Sequence, residues 1–368
     1  MRLSLALLLP LFAASAAGQD DDRTYEREFN RGAELLRARK YAEGIAVYES
    51  LLKVRPNDSP SAYNLACGHA LAGDKAKAFE WLARAADWGF DDGKLAETDT
   101  DLDSLRPDAA FAPILEKIRA NVERAKAREE KAKEEAKVPY VHEPPNYDRK
   151  KPFPVLVVLH GAPGNKTDFA KNFEDVADEA GFLLLSVQGT VPGREKGYLW
   201  HTGREEYRRT PGRFENHVLE VVRQVKRDRA VDPERVYLAG FSQGAFMAFH
   251  AGLRTPGLFR GVIGIAGDYY PRLFVTPAGL KTAAERGCRA YLIAGEKDDP
   301  QVTEVAKRAF EELKSAAVRS ELKVYPVGHE FPPDRKSVLL EALRWLDANA
   351  PPPASKPAST PSGGERRG

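Results

Sequence analysis

Five consecutive residues, Gly240-Phe241-Ser242-Gln243-Gly244, set one hydroxyl between two glycines. Apolar residues fill 236–239 before them, and small or apolar residues fill 245–248 after them. A strand, a G-x-S-x-G turn and a helix together make a nucleophile elbow, which exposes a serine on a sharp turn. A serine hydroxyl is a weak nucleophile and attacks only where a base takes its proton. The flanking glycines let strand and helix approach closely, since a Cβ at either position would clash. In a chain with 29 Gly and 14 Ser, five such letters also arise by chance. Their meaning depends on a base, an orienting acid and an oxyanion site being placed to serve them.

Three other stretches supply such groups, and each directly follows an apolar, strand-like run. His160-Gly161-Ala162-Pro163-Gly164 follows 154–159, Asp298-Asp299 follows 289–294, and His329 follows 321–325. Further strands are expected at 182–187 and 261–265. Helices are expected at 168–180, 214–229, 302–317 and 334–349, and a long loop at 188–213 carries Tyr198, Trp200 and His201. Strands alternating with helices predict an α/β domain, a mostly parallel sheet with helices on both faces. Sites on such sheets form at the carboxyl ends of the strands, where all four stretches fall. Of the seven histidines, only His329 lies after both the acids and the last strand. His201 and His217 precede the elbow, and His250 sits inside the helix that follows it. Asp299 precedes Pro300 at a helix start, which suits an N-cap with proline at the first helical position. That leaves Asp298 for the site, with Asp299 as the alternative.

The 368 residues allow two modest domains, and 42% hydrophobic content allows a real core. The net charge of +2 gives no general attraction to nucleic acid. Cys67 and Cys288, in different predicted domains, read as two small buried residues. No metal-ligand spacing, phosphate loop or nucleotide fingerprint occurs, so no cofactor is expected. At the amino terminus Arg2 precedes the apolar run 3–14, the small residues 15–18 and the charged stretch 19–23. This order predicts a secretory signal peptide over 1–18 and an exported chain, periplasmic or secreted, without a stable membrane span.

Residues 19–115 carry apolar positions at helical spacing. Gly32, Gly44, Tyr48 and Pro56 are matched 34 residues later by Ala66, Ala78, Leu82 and Phe90. A 34-residue period resembles the tetratricopeptide repeat, a helical hairpin. The repeats would either dock a protein partner or pack as a spacer on the next domain. Residues 116–137, almost all Ala, Glu, Lys and Arg, predict a solvated helical linker. The α/β domain is expected over 138–350, and 351–368, rich in Pro, Ser and charge, is expected to be disordered.

The segment from 138 to 349 resembles the α/β-hydrolase family. The likeness rests on Leu159-His160-Gly161, the elbow, Gly295-Glu296-Lys297-Asp298 and Gly328-His329, in the order Ser, Asp, His. It is most similar to small lidless esterases of the phospholipase/carboxylesterase and feruloyl-esterase-like kinds. The resemblance implies hydrolysis of a small-molecule ester through an acyl-enzyme. Carried onto this chain, it makes Ser242 the nucleophile, His329 its base and Asp298 the group that holds the imidazole. The oxyanion would be bound by the backbone N–H of Gln243 and of Ala162, with Gly161 as the fallback. His160 would hold its loop, and Trp200 and Tyr269 would line the substrate pocket or simply pack the domain. A serine peptidase of the prolyl-oligopeptidase type and a non-catalytic binding scaffold are the rival readings.

Overall fold

The computed structural model describes residues 16–193, 197–201, 212–267 and 275–348. Most of the expected leader, the expected tail and Tyr269 lie outside the described residues. No helix among those described is long and apolar enough to cross a membrane.

The amino-terminal part is helical. Helices α1 (Ala16–Arg37) and α2 (Tyr41–Val54) form one hairpin, α3 (Ser59–Leu71) and α4 (Lys75–Asp87) a second. Asp58 and Asp74 start α3 and α4 by accepting from the N–H groups of Ser61 and Lys77. The first hairpin crosses tightly at a glycine. A Cβ on Gly32 would lie 2.8 Å from the buried Tyr48 ring. The positions 34 residues on, Ala66 and Leu82, are also buried. Helix α5 (Gly93–Thr98), a 3-10 turn (Thr100–Leu102) and α6 (Phe111–Ala136) extend the stack and bury Leu102, Leu105, Phe111 and Ile118.

Helix α6 departs from the expectation of a separate solvated linker. It runs unbroken from Phe111 through the charged segment. Its charges pair along its own surface, as Lys133 does with Glu129 at 3.0 Å and Glu130 at 2.8 Å. Ala132 and Ala136, four residues apart and therefore on one face, are buried. Composition hid this stripe because alanine between charges suits a solvated helix equally well.

The carboxyl-terminal part is built on a seven-stranded sheet, taking β1 (Tyr140–His142), β2 (Phe153–Leu159), β3 (Leu183–Val187), β6 (Val231–Phe241), β7 (Gly261–Ile265), β8 (Arg289–Gly295) and β9 (Arg319–Tyr325) in the order β1-β3-β2-β6-β7-β8-β9. Only the β1 pairing is antiparallel. A small hairpin, β4 (Val191–Pro192) and β5 (Tyr198–Leu199), stands apart. Side chains alternate across the sheet. Val155, Val157 and Leu159 face one core, Leu156 and Val158 the other. The first core is covered by α9 (Arg213–Asp228), α10 (Gln243–Arg254), α11 (Pro277–Glu285) and α12 (Pro300–Ser315). The second lies under α7 (Lys166–Ala170), α8 (Glu174–Ala180) and α13 (Arg335–Asp347). The helix expected at 168–180 is thus two short ones, divided before the buried Phe173.

Candidate active site

The central strand β6 carries the elbow. Its register sets Gly240 between Leu159 of β2 and Gly264 of β7. A Cβ on Gly240 would fall 2.1 Å from the Gly244 carbonyl oxygen, and one on Gly244 would fall 2.1 Å from that of Leu159. Backbone cannot yield to either, so both positions require glycine. Between them Ser242 adopts φ 54°, ψ −122°, a conformation costly for any residue with a Cβ. Its N–H donates to the Ile265 carbonyl at 2.9 Å, which ties the turn to the neighbouring strand.

Two loops bring partners to this hydroxyl. His329, beyond β9, places Nε2 3.0 Å from Ser242 Oγ. Its Nδ1 lies 2.9 Å from Oδ2 and 3.2 Å from Oδ1 of Asp298, beyond β8. An ionised carboxylate only accepts, so Nδ1–H donates to it and Nε2 is left to accept from the serine. The Asp298 side chain is wholly buried and takes a further bond from the Asp299 N–H at 2.7 Å. Asp299 turns away to cap α12, accepting from the Gln301 N–H at 2.7 Å. Of the two adjacent acids, Asp298 is the one against the imidazole. Phe241 lies edge-on to the His329 ring at 5.2 Å and holds its tilt.

Across the serine stands the 160–165 loop. His160 is buried, and its Nδ1 donates to the Gly161 carbonyl at 2.7 Å while Nε2 accepts from the Gly189 N–H at 3.0 Å. Burial lowers its pKa to about 4, so it is a neutral strut. Gln243 is the first residue of α10, where backbone N–H groups have no partner within the helix and the helix dipole favours negative charge. Its side chain is fixed at both ends: Oε1 accepts from the Trp200 N–H at 2.7 Å and Nε2 donates to the His201 carbonyl at 3.0 Å. Ser242 and His329 open on a cavity of about 620 Å³, also lined by Gly161, Ala162, Asn165, Phe169 and Phe331. Phe331 stacks on Phe241 at 5.2 Å. Among the described residues, no lysine or arginine lines this cavity.

Trp200, one of the two residues proposed for the substrate pocket, is 1% exposed and does not line the cavity. Its indole N–H donates to the His160 carbonyl at 2.7 Å, so it packs beneath the loop. Two residues near the site escaped the sequence reading, Gln188 and Lys166, and Tyr198 was placed only in the long loop. Gln188, buried just beyond β3, accepts from the Lys166 N–H at 3.0 Å. Its place after a parallel strand was the available signal.

Among the described residues a trio of metal-ligand type, Cys67, Asp99 and Asp101, lies in the helical part. Sequence spacing did not show it because the fold joins distant positions. Asp99 accepts from Tyr63 Oη at 2.9 Å and from the Cys67 thiol. Burial, with Asp99 nearby, pushes the Asp101 carboxyl up to about 7, and burial holds the Cys67 thiol well above its usual range. Burial thus disfavours the charged forms of all three groups.

The sheet order, the elbow on its central strand and the helices on both faces make the carboxyl-terminal part an α/β-hydrolase fold. Residues 209–344 match the family described as Phospholipase/Carboxylesterase. A protein of Ajellomyces capsulatus (strain H88), named Probable dipeptidyl-aminopeptidase B, is 35% identical over 109 residues, 28% of this chain and 12% of its own length. This chain therefore spans only about an eighth of that relative. A proposed esterase of Nocardia uniformis subsp. tsuyamanensis, NocK, is 30% identical over 131 residues, 34% of this chain and 36% of its own. Among solved structures, an uncharacterized protein from Bacillus cereus ATCC 10987 is similar over 88% of this chain and 99% of its own, at 18% identity and a TM-score of 0.46.

Proposed function

We propose that the chain is an exported serine hydrolase that cleaves a carboxylic ester or thioester through an acyl-enzyme on Ser242. The observation that carries this is the unbroken relay from Ser242 Oγ through His329 to Asp298, open to a cavity. His329 Nε2 takes the hydroxyl proton as Oγ attacks the carbonyl carbon. The oxygen that becomes negative meets the N–H of Gln243, at a helix start, and that of Ala162 from the opposite loop. His329 then passes the proton to the leaving alcohol or thiol. Water, deprotonated by the same nitrogen, releases the acid. Asp298 keeps Nδ1 protonated and stabilises the imidazolium. The aromatic wall of Phe169, Phe241 and Phe331 suits an apolar or aromatic acyl group.

The family match over 209–344 supports an ester substrate. The similarity to a dipeptidyl-aminopeptidase favours a second reading, a serine peptidase. Export rests on the leader pattern, and the hairpins with their 34-residue offset support tetratricopeptide-like repeats that dock a protein or pack as a spacer. A fluorophosphonate probe should label the purified protein, and Ser242→Ala should abolish labelling. A folded wild type that stays unlabelled would sink the proposal. Aryl and alkyl esters turned over faster than dipeptide anilides would separate esterase from peptidase.

A further inference from the structure

Helix α6 reaches the loop that faces the serine. The last carbonyls of any helix lack partners within it. Here the sheet domain meets that end, where Lys166 Nζ donates to the carbonyl of Glu135 in the last turn at 2.7 Å and to that of Val138 just beyond the helix at 2.5 Å. A cation at a helix carboxyl end also suits the dipole. Beside it Tyr198 Oη donates to the Glu135 carboxylate. One turn or two earlier, Arg128 donates to the Gly193 carbonyl, and Arg213 pairs with Glu129 at 3.7 Å. Tyr198 and Lys166 are not incidental surface groups. The Tyr198 backbone pairs with Gly164 in both directions, at 3.0 and 2.7 Å. Lys166 begins α7, two residues after Gly164, and its own N–H is held by Gln188. Gly164 is packed so closely that an added Cβ would sit 2.5 Å from the Gly161 carbonyl oxygen. The loop from Gly161 to Asn165 is therefore gripped at Gly164 and at the start of α7, and the grip ends on α6.

We propose that the carboxyl end of α6 braces the oxyanion loop, with Lys166 and Tyr198 as positioning residues that set where the Ala162 N–H points. Neither is asked to touch substrate, and the inference rests on the hydrolase reading above. Preorganised donors lose much of their effect when displaced by a fraction of an ångström. The role therefore belongs to the transition state rather than to ground-state binding.

The test uses the full chain with Tyr198→Phe, which removes one hydroxyl, and Lys166→Met, which keeps the aliphatic stem. Turnover of a p-nitrophenyl ester should fall by about 10- to 100-fold in kcat with KM within about threefold. Affinity for a boronic-acid or trifluoromethyl-ketone transition-state analogue should fall in step, and Lys166→Arg should restore most of both. Thermal unfolding checks that the variants remain folded. Folded variants with wild-type kcat and wild-type analogue affinity would overturn the brace. A loss in KM alone would overturn it too, since that signals substrate binding. A wild type that neither turns over nor is labelled by fluorophosphonate would instead bring down the hydrolase reading, and the brace with it.

Discussion

Ser242 holds its backbone at a positive φ that glycine adopts freely and alanine does not. Removing the hydroxyl by two routes should separate chemistry from strain. Ser242→Gly and Ser242→Ala should both lose activity, but the glycine variant should unfold at the higher temperature, by about 1 kcal/mol or more of relieved strain. Equal melting temperatures would show that the turn is not strained. His160 offers a second test at this scale. Its pKa of about 4 lies below that of a solvated imidazole because burial disfavours the charged form. As pH falls from about 6.5 to 4, the unfolded chain takes a proton that the folded chain refuses, so stability declines through that window. His160→Gln should flatten the decline, worth about 3 kcal/mol at the acid end, in unfolding curves taken across the range. These residues were legible in different degrees. Ser242, Asp298 and His329 each follow a strand and could be placed in advance. The neutral state of His160 needs Gly161 and Gly189 around its ring, which no spacing reveals.

At the scale of elements, strand β7 coincides with its expected span because five consecutive apolar or small residues fill a strand buried on both faces. Strand β1 was not foreseen. It is three residues long and sits half-buried at the sheet edge, so it carries no pattern. The β4–β5 hairpin, two residues a strand, has the same cause. Where glycine joins elements the sequence spoke clearly, and Gly244→Ala tests it. The added methyl meets the Leu159 carbonyl oxygen, and β2 cannot shift without moving the central sheet. A loss of about 3 kcal/mol or failure to fold is expected in denaturant titration, whereas a neutral outcome would mean that α10 can slide. In the helical part, the turn at Thr100–Leu102 buries Asp101 beside Asp99. The folded carboxyl keeps its proton up to about pH 7 while the unfolded one loses it near 4. Stability therefore falls as pH rises between those values and stays lower above them. Asp101→Asn should raise the melting temperature at pH 8 by roughly 8 °C or more and leave it unchanged at pH 4.

For the whole molecule, the expected break between a helical region and a sheet domain is bridged by one helix. Asn121 donates to the carbonyls of Ala86 and Phe90 at 2.8 and 2.9 Å on one side, and further along Arg128 donates to Gly193 and Glu135 accepts from Tyr198, both in the sheet domain. Composition reads the charged residues as solvated, but it cannot say which alanines are covered or that Arg128 and Glu135 bond to the sheet domain. Such a helix fixes an angle as well as a distance. Each added residue turns everything beyond it by about 100° and advances it by 1.5 Å. One alanine inserted between Asn121 and Arg128 would rotate the two contact faces out of phase. Seven would bring them back to within about 20°, some 10 Å further apart. The spacing between these two faces is thus a phase written in residue count, and the chain can drift in charge along this stretch far more freely than in length.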